Sequence, residues 1–96
     1  MHYVFYGTDK PGQLELRKQT REAHLEWIRA NPIVLAGPRL DENGDMMGSM
    51  VVLEAESLAE AQSIFAADPY AEAGLFASTE ITAWNWVVGN TNGAPS

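Results

Sequence analysis

Two residues far apart in the chain have the right types to move a proton near neutral pH, and each sits in a setting that asks for a partner. His24 shares a helical stripe with Arg17, Arg21 and Ile28, so its imidazole lies where a cationic surface meets an apolar one. Asp68 falls in Phe65-Ala66-Ala67-Asp68-Pro69-Tyr70, where a second helical pattern stops. The carbonyl end of a helix carries partial negative charge and favours a cation, so an acid there needs another reason to be present. A carboxylate set against an imidazole orients the ring and stabilises its protonated form. Such a pair could take a proton from a bound molecule and return it, and needs no cofactor. The same residues also fit a plainer arrangement, with a histidine satisfied in a helix contact and an aspartate opening a turn before Pro69.

Other side chains could complete a pocket around that pair. Arg17 and Arg21 offer planar forks to a carboxylate or an enolate, although Glu15 and Glu22 are ready partners for them on the same helix. Ser49 could donate a hydrogen bond but lacks the Gly-x-Ser-x-Gly setting of a nucleophile. Tyr6 and Tyr70 could line or close the pocket, and His2 reads as an edge-strand residue. No metal site is expected, because the two histidines lie in different elements and Asp41 to Asp45 lacks the calcium-loop pattern. Gly7 and Gly12 are isolated and do not form a phosphate cradle.

The elements that must position these groups follow from periodicity. His2 to Gly7 is a β-favouring run, apolar on both faces, expected at the centre of a sheet. Thr8 to Gly12 holds turn residues. Gln13 to Ala30 has helical spacing and ends at Asn31-Pro32, with Leu16, Thr20, Ala23 and Trp27 as its expected core stripe. Ile33 to Leu40 reads as a strand broken at Gly37-Pro38, and the Asn43-Gly44 pair favours a tight hairpin into a strand from Met46 to Ala55. Gly48 and Ser49 there would allow close approach of a backbone or a ligand.

Ser57-Leu58-Ala59-Glu60 is a capping box, and Leu58, Ala61, Ile64 and Phe65 give the next helix its apolar stripe. A short hook runs from Pro69 through Glu72 to Gly74. Leu75 to Val88 supplies the last extended region, with Phe76, Ile81, Trp84, Trp86 and Val87 as buried candidates. The order strand, helix, strand, strand, helix, strand is the ferredoxin-like split βαβ plan of an α+β domain, with one antiparallel sheet covered by helices on a single face. A single domain over residues 1–90 is expected, with a frayed tail at 91–96. Covering the other face calls for a second sheet, and hence a homodimer.

A net charge of -7 argues against nucleic acid and anionic membranes as partners. The absence of cysteine suits a reducing compartment, and no apolar run is long enough to span a bilayer, so a cytoplasmic protein is expected. Its partner would be a small molecule.

Several short motifs in order resemble the YciI-related family. They are Arg17, Arg21, His24 and Leu25; Ala36-Gly37-Pro38; Gly48-Ser49; Ser57-Leu58 with Ala61; and Asp68-Pro69-Tyr70 before Ala73-Gly74. The resemblance spans Tyr3 to Val88. It implies a dimeric α+β barrel with a pocket in each subunit and a catalytic histidine-aspartate pair, carried over onto His24 and Asp68. It also implies small cofactor-independent chemistry of lyase or isomerase type on an aromatic or enolisable substrate, since some relatives are dehydrochlorinating lyases. A non-catalytic binding or accessory module of the same fold is the alternative, and a cofactor-free oxygenase is a third.

Overall fold

The computed structural model describes residues 1–90, and the tail expected to fray from Thr91 to Ser96 lies outside them. The elements are β1 (His2–Asp9), α1 (Leu14–Ala30), β2 (Ile33–Leu40), β3 (Met46–Glu54), α2 (Leu58–Ala66), α3 (Pro69–Glu72) and β4 (Phe76–Trp84). The sheet is antiparallel in the order β2-β3-β1-β4, with β1 central as its two apolar faces demand. This is the ferredoxin-like split βαβ architecture of an α+β domain. Among the described residues, no helix is long and apolar enough to cross a membrane.

Alternation along the strands divides the sheet into two faces. Tyr3 and Phe5 of β1 with Val51 and Leu53 of β3 face the helices, where they meet Trp27 of α1 and Ala61 and Phe65 of α2 in one core. Phe5 stacks on Phe65 at 5.0 Å between centroids. The opposite face carries Val4, Tyr6, Met50, Val52 and Glu80 and has no helix over it. Ser57 caps α2, its hydroxyl accepting from the Glu60 backbone N–H at 3.1 Å.

Several sequence expectations are corrected. Asp68 does not end α2, which closes at Ala67. It opens α3 as the N-cap, Oδ1 accepting from the Tyr70 backbone N–H at 3.1 Å, where negative charge is favoured. α1 buries Arg17 and His24 beside Trp27, leaving Ala23 exposed, because the two charge-bearing side chains find partners in the interior. β2 runs unbroken through Gly37-Pro38, since an edge strand tolerates a proline that cannot donate. In the β2–β3 loop only Gly44 takes positive φ, and Asp41 Oδ1 accepts from Asn43 and Asp45, so the loop is wider than the two-residue turn. His2 lies in central β1, bonded to Glu54, and is no edge residue. Leu58 and Val87 are exposed, while Phe76 and Ile81 pack on the core. Trp84 and Trp86 are half-buried and stack on each other.

Gly48 marks the closest approach in the sheet. A Cβ there would collide with the Gly7 carbonyl and crowd Arg39, whereas one at Gly37 would meet nothing within 4 Å. Gly48→Ala is expected to lose about 1–3 kcal/mol of stability in urea unfolding, and Gly37→Ala to stay within about 0.5 kcal/mol of the parent.

Candidate active site

α1 brings two polar groups inward, Arg17 and His24, on the side facing α3 and the β2–β3 edge. His24 Nδ1 lies 2.7 Å from Asp68 Oδ1, with His24 7% and Asp68 2% exposed. A carboxylate only accepts, so Nδ1 carries a proton, and in the neutral form of the ring Nε2 presents its lone pair. Among the described residues Nε2 makes no hydrogen bond, yet no buried side-chain nitrogen or oxygen there lacks a partner. Nε2 therefore keeps accessible surface, and His24 lines a cavity. The ring is stacked on Tyr70 at 4.1 Å and faces Trp27 at 5.7 Å, which fixes its plane. Trp27 is itself pinned by its indole N–H, donated to the Ile64 carbonyl at 3.2 Å.

The cavity has a volume of about 190 Å³ and lies between α1 and the strands β2 and β3. Arg17, Arg21, Ser49 and Tyr70 join His24 in its wall, and Leu25, Ile28, Pro38 and Met46 give it an apolar lining. It is small. An apolar cavity of about 150 Å³ holds benzene, so this space suits one substituted six-membered ring.

Arg17 does not hold out a free fork to that space. Its Nε donates to Asp9 Oδ2 at 2.7 Å, and Nη2 donates to Asp9 Oδ1 and Ser49 Oγ, each at 2.8 Å. The guanidinium also lies over the Tyr70 ring, 4.6 Å from its centroid. Burial would lower the pKa of Arg17, but the hydrogen bond and charge of Asp9 outweigh it and hold it above the usual arginine value. Burial pushes the Tyr70 phenol above its ordinary value, only partly offset by the charge of Arg17. Tyr70 is therefore a neutral donor at physiological pH and not a base.

Arg21 is exposed at the cavity mouth and makes no hydrogen bond or ion pair among the described residues, yet its charge reaches Tyr70. Of the two arginines, it is the one free to meet an anion. Tyr6 is a correction: it lies on the opposite sheet face, 38% exposed beneath Arg39, because its even position in β1 points it away from the helices. Asp9 was missed, reading as one more turn residue beside Pro11 and Gly12. Its signal was its place at the end of a central strand, where the last side chain on the helix face can meet an arginine one turn into the next helix. Among the described residues, no three histidine, aspartate or glutamate side chains are placed to share a metal ion.

The chain is similar to proteins from several bacteria. It is 38% identical over 87 residues to an uncharacterized protein of Haemophilus influenzae, covering 80% of this chain and 89% of that one. Protein YciI of Escherichia coli O6:H1 is 38% identical over 86 residues, covering 79% and 88%. Among solved structures, 5-chloro-2-hydroxyhydroquinone dehydrochlorinase (TftG) from Burkholderia phenoliruptrix AC1100, in complex with 2,5-dihydroxybenzoquinone, superposes with a TM-score of 0.77. It shares 37% identity, covering 88% of this chain and 93% of that one. The YCII-related domain model matches residues 1–85, most of the described residues and every residue of the cavity wall, and the chain belongs to that family.

Proposed function

We propose that this protein is a small cofactor-independent enzyme of lyase or isomerase type acting on a single hydroxylated or enolisable ring. The observation that carries this reading is His24 itself, with Nδ1 held by a sealed carboxylate and Nε2 open to a ring-sized cavity. The likeness to a dehydrochlorinase supports it.

In this mechanism His24 Nε2 removes a proton from the bound ring, and Asp68 balances the imidazolium that forms. The electron pair left on the ring either expels a leaving group, which completes an elimination, or is reprotonated elsewhere by the same imidazolium, which completes an isomerisation. Neither route needs an external oxidant or reductant. In the elimination the leaving group departs with its bonding pair and the imidazolium then gives its proton to solvent, and in the isomerisation the proton returns to the ring. Arg21 faces the developing anion, and the neutral Tyr70 phenol can donate to a ring oxygen. Arg17 and Ser49 fix the wall.

5-Chloro-2-hydroxyhydroquinone is the natural first substrate to offer. Chloride release should be accelerated by the parent protein and fall by about 10²–10⁴-fold in His24→Gln and Asp68→Asn, while both variants keep the parent circular dichroism. A parent that releases no chloride, but binds 2,5-dihydroxybenzoquinone as tightly as His24→Gln does, would instead identify a non-catalytic binding module. Arg21→Gln is expected to weaken 2,5-dihydroxybenzoquinone binding by about 5–10-fold, read by titration calorimetry.

The open sheet face, with Tyr6 and Leu35 both 38% exposed, is proposed to pack against that of a second copy. Sedimentation equilibrium at micromolar concentration should return twice the chain mass of 10.5 kDa, and a single-chain mass would refute the pairing.

A further inference from the structure

Two arginines bond the end of β1 from opposite faces. Arg39 of β2 lies on the open face, where Nη1 donates to the Gly7 carbonyl at 3.1 Å and to Thr8 Oγ1 at 3.2 Å. Its guanidinium also sits 5.5 Å from the centroid of the Tyr6 ring. To reach β1 it must pass over β3, and it does so at Gly48, the one residue there whose Cβ would obstruct both Arg39 and the Gly7 carbonyl. One residue further along each strand the side chains point the other way, and there Arg17 takes Asp9 and Ser49. Thr8-Asp9 and Gly48-Ser49 are thus each met by Arg39 on one side and Arg17 on the other.

The place they grip is the weak point of the ladder. The register between β1 and β4 shifts between Thr8 and Asp9, so strand pairing alone does not aim the Asp9 carboxylate. Arg39 is not held there by an acid. Glu80 stands on the same face, opposite Tyr6, yet among the described residues Arg39 makes no ion pair with it and gives its donors to a backbone carbonyl and a hydroxyl.

We infer that Arg39 is a positioning residue for the cavity on the far side of the sheet: by fixing Gly7 and Thr8 it aims Asp9 at Arg17, and through Arg17 it sets Ser49 and Tyr70 in the cavity wall. Arg39 bears on catalysis only if that cavity is the working site proposed above, but its hold on Asp9 is measurable with no ligand present. It also means that whatever covers the open face touches the cavity through two adjacent residues of β1.

The Arg17 Nε–H, donated to Asp9 at 2.7 Å from a residue 3% exposed, is the reporter. Its hydrogen-exchange rate, followed by NMR on the full chain, reads the opening of that one pair. Arg39→Met keeps the aliphatic stem and removes the donors, and should speed this exchange by about tenfold while the backbone amides of α1 exchange at parent rates. Thr8→Val removes only the hydroxyl and should speed it by about threefold. An Arg17 Nε–H rate within about twofold of the parent in Arg39→Met, or a rise shared equally by the α1 amides, would overturn the assignment. If Arg39→Met does not fold, Thr8→Val decides, and an unchanged rate there has the same force. A cavity that turned over nothing would leave this result untouched, so the two proposals fail separately.

Discussion

Two carboxylates are drawn out of water on the helix side of the sheet, and each is answered by a residue of α1. Asp68 is 2% exposed, and the Asp9 side chain is 8% exposed. A buried carboxylate without a partner costs several kcal/mol, so the pairs His24–Asp68 and Arg17–Asp9 favour this placement of α1 over others. His24 and Arg17 are seven residues apart in α1 (24 − 17 = 7), about two turns of helix. One pair ties α1 to the start of α3 and the other ties it to the end of β1. Held at both points, α1 can neither roll nor slide over the sheet, and the cavity is the space left between it and the β2–β3 edge.

That constraint explains a division of labour among groups that look interchangeable in the sequence. Arg17 and Arg21 lie one turn apart on one stripe, but only Arg17 reaches the strand end, and its guanidinium is committed to Asp9, Ser49 and the Tyr70 face. Among the described residues, Arg21 finds no partner at the mouth. The two imidazole nitrogens divide in the same way, one turned to a carboxylate and one to the cavity. Pairs of this kind define geometry more than they add stability, because replacing a buried ion pair with packed apolar side chains is often neutral or better. Their presence here sets where Nε2 points.

The architecture was legible because it rests on local signals that agree with one another. The β-branched and aromatic run at Tyr3–Tyr6, the Asn31-Pro32 stop and the Ser57 cap each fix one boundary, and together they leave little choice of topology. The meeting of His24 with Asp68 is legible in residue types and family motifs, but not in the electrostatics of the α2 terminus. Asp68 is not a misplaced acid at a helix C-terminus but a well-placed N-cap whose remaining capacity goes to the histidine. Asp9 stayed hidden because aspartate beside proline and glycine fits a turn on composition alone. Tyr6 was misplaced because a strand that is apolar on both faces does not reveal which face the helices cover. Only Phe5 and Tyr3, packed against Phe65 and Trp27 through the folded core, decide that.

Under the proposed reading, the charges of the site also limit what it accepts. Arg17 and Asp9 cancel, so with the imidazole neutral two charges bear on the cavity, a negative one on Asp68 behind the His24 ring and a positive one on Arg21 in the wall. A molecule already anionic on entry feels the carboxylate behind His24 through a water-poor interior, while Arg21, exposed at the mouth, repays it only through screened solvent. A neutral molecule that gives its proton to His24 becomes an anion at the moment the pair loses its net charge, leaving imidazolium and Arg21 both facing the new negative charge. The site therefore favours the species produced by the proton transfer over the one that binds, which is the direction in which an interaction must change to accelerate a reaction. Weakly acidic ring hydroxyls and enolisable carbonyls behave in this way, whereas preformed carboxylates do not.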